Sequence, residues 1–318
     1  MEMQYDKKFL GKQAKEKGFV RDTFEKVCRL ADILKFFEED DLLSKYLLLK
    51  GGTAINLVFL ELPRLSVDID LDFSKNLEKA EMEDIKEKIN GRIKRYIEAN
   101  GYELSEKTKH HFALDSFVCS YYNAGGNKDN LKIEINYMNR CHILEPVMKK
   151  AYTPWRDDEI MVACVAPVEI YASKTVALFN RTAPRDLYDI YNMIKFRMIS
   201  DDNRDMYRKC VVFYSAIGAE NVPDEFSFEC ISGVSTQQIR TILRPVLCNG
   251  EKIDLQTVRQ EVVEFLSKVL VMEENERGFW KCFREKEYRP EYLLGMVNEC
   301  ERVREHPMAR WKCRILDS

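Results

Sequence analysis

What the chain lacks narrows its class before any motif is read. No run of apolar residues approaches the roughly 20 that a bilayer-spanning helix needs, so no membrane association is expected. The first residues hold Lys7, Lys8, Lys12, Lys15 and Lys17 and no apolar core, unlike a secretory signal, and the expectation is a soluble, cytoplasmic protein. Glycine and proline, 13 and 9 of 318 residues, are too few for a long flexible linker. There is no internal repeat and no low-complexity tract. Excess charge of either sign is missing too: Lys plus Arg total 50 and Asp plus Glu 53, a net charge of −3. Such a balance announces no global positive field for nucleic acid, and it leaves room for a local basic groove. The ten cysteines, at 28, 119, 141, 164, 210, 230, 248, 282, 300 and 313, never take the C-x-x-C spacing of a structural zinc site, which leaves reduced thiols.

What is present is apolar content of 45%, enough for one large domain or two ordinary ones. Phe24, Val27, Leu30, Ala31 and Leu34 recur at helical spacing and predict a helix over Asp22–Glu39. A strand at Tyr46–Leu49, a helix over Thr53–Leu60, an acidic strand at Val67–Phe73 and a mixed-charge helix over Leu77–Asn100, ended by Gly101, follow. Within that helix Lys86 and Lys88 read as solvated partners of Glu83 and Glu87. Strands are then expected at Tyr102–Ser105, Ala113–Tyr122 and Leu131–Tyr137, the last two joined through the hairpin signal Gly125-Gly126-Asn127. His110 and His111 are adjacent, so on a strand they face opposite sides and do not share a metal. After Val165 the pattern is helical, as in Val262–Val271 and Glu291–Val303.

Two short segments carry chemistry. Val67, Ile69, Leu71 and Phe73 alternate with Asp68, Asp70 and Asp72, which makes a strand with one apolar and one acidic face. Carboxylates lined up in this way repel one another unless solvent or a divalent cation lies among them, and hard oxygen ligands suit Mg²⁺ or Mn²⁺. A solvated edge strand would show the same pattern, although edges are more often guarded by lysine. Gly51 and Gly52 stand at a strand-to-helix turn, where outward-pointing backbone N–H groups attract phosphate; the alternative is ordinary turn punctuation.

Together, Gly51-Gly52-Thr53 and Arg64-Leu65-Ser66-Val67-Asp68-Ile69-Asp70-Leu71-Asp72-Phe73 resemble the nucleotidyltransferase superfamily signature, and in detail the AbiEii/AbiGii toxin family of toxin–antitoxin and abortive-infection (phage-defence) systems. A second block strengthens the resemblance: Lys174, Arg181, Arg185, Asp186 and Asp189 occupy the family's lysine, arginine and Arg-Asp-Leu-Tyr-Asp positions. Lys174 and Arg181 are close to two turns apart and project from one helix face; a solvated basic stripe is the other reading, against which Ile170, Val176, Ala177 and Phe179 argue that the helix is docked. The resemblance covers roughly residues 45–196.

The resemblance implies an α/β fold: a nucleotidyltransferase-like mixed sheet with flanking helices over residues 1–166, then a mainly helical domain over 167–318 that completes the active-site cleft. It implies a metal-dependent transfer of a nucleoside monophosphate from an NTP. Asp68 and Asp70 would hold Mg²⁺ or Mn²⁺, with Glu134 as the third carboxylate or merely the polar face of a surface strand. Gly51, Gly52, Thr53 and Ser66 would bind the nucleotide together with Lys174 and Arg181. Asp186 would orient Lys174, contact ribose or acceptor, or pair with Arg185. The implied acceptor is RNA, with tRNA 3′ ends first, served by a local basic surface from Arg140, Lys149, Lys150, Arg156 and Arg181. The implied partner is a cognate antitoxin, with or without a stable complex. A nucleotidyltransferase acting on a small molecule of the antibiotic type, or a non-catalytic nucleotide-binding module, are the alternatives.

Overall fold

A computed structural model of the chain describes residues 5–314. Its contacts divide it into two compact units, one comprising Met1–Arg140, Val147–Cys164 and Val246–Glu251, the other Cys141–Pro146, Val165–Pro245 and Lys252–Ser318. The chain therefore passes between the units several times rather than once, and a short segment of each interrupts the sequence of the other.

The first unit is built on an eight-stranded mixed sheet. Its strands are β1 (Leu47–Lys50), β2 (Asp68–Phe73), β3 (Glu103–Leu104), β4 (Lys109–His110), β5 (Leu114–Tyr122), β6 (Lys128–Asn136), β7 (Val147–Lys150) and β8 (Met161–Cys164). The order is β3-β5-β6-β2-β1-β8-β7, with β4 on β5. β2 runs antiparallel to β1 and parallel to β6, so the acidic strand lies inside the sheet and not at an edge. Ile69, Leu71 and Phe73 are buried on one face beside Leu47 and Leu49 of β1 and Ile133 and Ile135 of β6. The expected hairpin joins β5 to β6, closed by Asn123, whose side chain accepts from the Gly125 and Asn127 N–H groups.

Two long helices supply apolar cover at helical spacing. Arg21–Glu39 buries Phe24, Val27, Leu30, Ala31 and Leu34, and Lys79–Ala99 buries Met82, Ile85, Ile89, Ile93 and Ile97. Lys86 on the second helix is not a solvated residue. It lies 3.1 Å from the fully buried Asp115 and over the Tyr137 ring, because the following strands fold back over that helix face. Among the described residues no helix is long and apolar enough to cross a membrane.

The second unit is helical. Pro167–Arg181 packs with Pro184–Lys195 and Arg204–Gly218, and Leu255–Val269 and Glu274–Arg284 complete the group. Both of the first two helices start on proline, whose missing N–H costs nothing in the first turn. The buried Glu169 carboxylate accepts from the Ile143 and Leu144 N–H groups, 2.8 Å each, and from Tyr214 OH, which ties the 141–146 segment into this unit. The helix expected over Glu291–Val303 is two, Pro290–Leu294 and Asn298–Val303, broken where Gly295 takes φ 72°.

Candidate active site

In the first unit the glycine turn and the acidic strand are brought into direct contact. Gly51 follows β1 at φ 69°, a left-handed conformation that admits glycine most readily. A β-carbon there would lie 2.9 Å from Asp70 Cβ and 3.0 Å from its Cγ, so only glycine lets the turn approach the carboxylate. A β-carbon on Gly52 would meet Ser66 Oγ at 2.8 Å and Arg64 Nη2 at 3.0 Å. Behind the turn Thr53 is buried, and its hydroxyl donates to the Asp68 carbonyl oxygen. The Asn56 amide donates to Gly52 O at 2.9 Å. Thr53 thus locks the turn to β2 from below and spends its hydroxyl there.

The acidic face sorts into two parts. Asp72 is buried, with its carboxylate 2.5 Å from Lys50 Nζ. Glu134 is the register partner of Asp70 on β6, as close as a neighbouring strand can place it, yet its carboxylate is drawn to Lys132 at 2.9 Å. Asp68 and Asp70, half-buried, remain beside the glycine turn. Among the described residues no three His, Cys, Asp or Glu side chains gather as a metal-holding group. Two carboxylates on one strand face still suit Mg²⁺, which commonly takes one or two carboxylates and fills the rest of its octahedron with water and substrate phosphate.

Sequence reasoning passed over the loop that connects these parts. The helix after the glycine turn is wound wide, as a π-helix over Ala54–Phe59, and Glu61 and Leu62 then take φ 51° and 64°. Consecutive left-handed non-glycine residues are costly and cluster at functional sites. No residue type in that stretch signals them. The loop is held by the buried Arg64, whose Nη1 donates to Leu65 O, and by the Leu65 N–H, which donates to Val246 O at 2.7 Å.

The second unit gathers Lys174, Arg181, Asp186 and Asp189. Lys174 Nζ is 2.9 Å from Asp186 Oδ1 and 3.3 Å from Asp189 Oδ2. Arg181 grips Asp186 with both Nε, at 2.6 Å, and Nη2, at 2.8 Å. Lys174, Asp186 and Asp189 are 8%, 1% and 0% exposed, so this is a buried network and not a solvated stripe. Burial alone would raise the Asp186 carboxyl pKa; the Lys174 charge and the Arg181 hydrogen bonds outweigh it and hold the group below its ordinary value. Arg185, one of the candidate partners of Asp186, donates to Ile242 O. Asp189, three residues after Asp186 on the same helix face, belongs to the cluster as fully as Asp186 does.

Four of the five residues expected to form a basic surface are engaged within the protein. Arg140 is spent on Asn76 and Tyr137 O, Lys150 on Glu159, Arg156 on Asp32 and Asp158, and Arg181 on Asp186. Each cation found a nearby carboxylate or amide oxygen, a pairing that sequence spacing does not reveal. Lys149 and Lys150 are both exposed on β7 at the edge of the sheet, Lys150 paired with Glu159.

One unit sets an acidic strand against a glycine turn, and the other buries a lysine–aspartate cluster. A family model described as the nucleotidyl transferase AbiEii toxin of type IV toxin–antitoxin systems matches residues 35–283. The chain belongs to that family of nucleotidyltransferase toxins. Its fold is similar to that of MenT4, a nucleotidyltransferase toxin from Mycobacterium tuberculosis H37Rv, with a TM-score of 0.60 over 98% of this chain and 99% of that one. The two are 12% identical, so that likeness concerns the fold alone. No curated protein matches the chain.

Proposed function

We propose that the chain transfers a nucleoside monophosphate from an NTP to an acceptor hydroxyl in a reaction dependent on Mg²⁺ or Mn²⁺, with RNA as the acceptor and tRNA 3′ ends the first candidates. The observation that supports this reading is the close approach of Gly51 to Asp70, a glycine turn within a few ångströms of a carboxylate of the kind that suits a divalent ion. When bound, the ion would offset charge on the triphosphate and on the departing pyrophosphate. Asp68 and Asp70 hold it; Glu134, tied to Lys132, acts by setting the strand and not as a required ligand. Gly51 and Gly52 present backbone N–H groups to the phosphates, Ser66 lines the turn, and Thr53 braces it.

In this reading residues 1–166 supply the metal and the phosphate turn, and residues 167–318 supply the cation. Lys174 has three N–H donors and directs two of them at Asp186 and Asp189, which leaves one for a phosphate oxygen. Because both Asp186 oxygens are engaged by Lys174 and Arg181, its role is to orient Lys174 rather than to touch ribose or acceptor. An antitoxin neutralises the activity in the cell, with or without binding the chain directly.

The engagement of four of the five expected RNA-contacting cations favours one second reading, transfer to a small-molecule acceptor. Incubation with each α-labelled NTP, Mg²⁺ and total cellular RNA decides between them. Label in RNA, with growth arrest on expression, is the expected result; label confined to a small acceptor, with no growth effect, would replace RNA by the second reading.

A further inference from the structure

The second unit contains a cavity of about 300 Å³, distinct from the Lys174 cluster, at the end of the Arg204–Gly218 helix. Ala216, Val222 and Phe283 form apolar wall, Lys286 and Lys312 supply positive charge, and Glu220 and Asn221 are also part of the lining. Both lysines are half-buried, and among the described residues neither meets a carboxylate in an ion pair. Lys312 is held below its ordinary pKa by burial and by repulsion from Lys286, against which Cys313 and Glu220 act in the opposite sense. Two ammonium groups brought together with one carboxylate in the same wall, and that one outside ion-pair range, keep a net positive charge that an anion would relieve.

A second observation concerns Lys286 itself. It follows the Glu274–Arg284 helix at φ 65°, with its N–H donating to Phe283 O and the Glu287 N–H to Cys282 O. That is the helix-ending arrangement whose left-handed position favours glycine or asparagine. Placing a lysine there is unfavourable for the backbone. Helix capping accounts for part of the pair: Lys312 Nζ donates to Ala219 O and Lys286 Nζ to Lys312 O at 3.4 Å. Each ammonium carries three donors, so each retains two beyond that use.

We infer that this cavity binds a phosphate group of a nucleotide, either free or as a unit of an RNA chain, through Lys286 and Lys312, with the nucleoside against the Phe283 wall. Its volume is at the lower end of the roughly 300–1,000 Å³ typical of small-molecule sites and suits one nucleotide. Arg284, on the rim, is engaged by Asp224 and Pro223 O and serves as wall. The RNA source rests on the acceptor proposed above; the phosphate site does not.

Titration calorimetry of AMP into the full chain, with EDTA and no divalent ion, tests it. Binding is expected in the wild type and in Asp70→Ala alike, and about tenfold or more weaker in Lys286→Asn and in Lys312→Gln. Asparagine tolerates the left-handed backbone and glutamine keeps a donor for Ala219 O, so unchanged melting temperatures will certify both folds. Displacement of AMP by a 5′-phosphorylated single-stranded RNA would assign the phosphate to RNA; AMP binding undisturbed by RNA would assign it to a free nucleotide, and both uphold the site. No metal-free binding by the wild type, or affinity within about twofold of wild type in both lysine variants, would overturn it. A wild type that binds AMP in this way yet labels no RNA would refute the RNA acceptor and leave the site intact.

Discussion

The acidic strand of the first unit and the lysine cluster of the second use the same residue types to opposite ends. Asp68 and Asp70 sit half-buried at a glycine turn, with the flanking carboxylates Asp72 and Glu134 already held by Lys50 and Lys132. Lys174, Asp186 and Asp189 sit almost wholly inside the protein, bound to one another, with Arg181 clamping Asp186 from the outside. A carboxylate that solvent reaches can be removed at little cost to the fold, whereas a buried ion pair that loses one member leaves a charge stranded in low dielectric. In the proposed reaction both clusters are needed, so activity alone would not distinguish them; stability would, because only one of them is buried.

Four experiments press on that contrast. The largest effect is expected for Asp68→Ala and Asp70→Ala: transfer from labelled NTP falls below a few per cent of wild type, while unfolding free energy changes by no more than about 1 kcal/mol. Loss of both activity and fold in these variants would erase the difference between the clusters. Lys174→Ala should lose transfer as well but also lower stability by about 3 kcal/mol, the lower end for a broken buried pair because Arg181 still holds Asp186. Urea unfolding checks this against Lys94→Ala, an exposed lysine 3.9 Å from Glu98, which should change neither quantity.

Gly51→Ala should be intermediate. Forcing a β-carbon into the left-handed region costs roughly 1–2 kcal/mol, and the collision with Asp70 displaces the carboxylate, so transfer should fall further than stability does. Parallel melting curves and initial rates would show equal losses if the turn were only punctuation. The smallest effect concerns pH. Because the folded pKa of Asp186 is depressed, its contribution to stability is complete above the unfolded carboxylate value of about 3.9 and is lost as pH falls through the lower folded value. Urea midpoints at pH 5 and pH 3 should therefore drop more for wild type than for Asp186→Asn; equal drops would mean that Asp186 does not carry this dependence.

Legibility in the sequence followed the range of the interaction. The alternation through Asp68, Asp70 and Asp72 and the Gly125-Gly126-Asn127 hairpin are local patterns, and the structure has the strand and the hairpin where those patterns lie. Strands β7 and β8 had no such signal: each is four residues long without clean alternation, and the parallel pairing of β8 with β1 is a nonlocal contact. The same limit applies to charge. Lys86 on a mixed-charge helix looks solvated until Asp115 arrives from a distant strand, and Arg156 looks like an RNA contact until Asp32 does. The candidate site residues lie in short motifs, Asp189 among them, whereas Lys50 and Asn56, which hold Asp72 and the turn, became evident only when the turn was formed.

The central claim is that Asp68 and Asp70 form a divalent-ion site at the glycine turn. Titration of Mn²⁺ followed by electron paramagnetic resonance, in the presence of a non-hydrolysable NTP, tests it without requiring knowledge of the acceptor. Stoichiometric loss of the free Mn²⁺ signal is expected with wild type and with Glu134→Gln, and affinity weakened about tenfold or more in Asp70→Ala. Binding of Mn²⁺ by Asp70→Ala as tight as by wild type would contradict that claim.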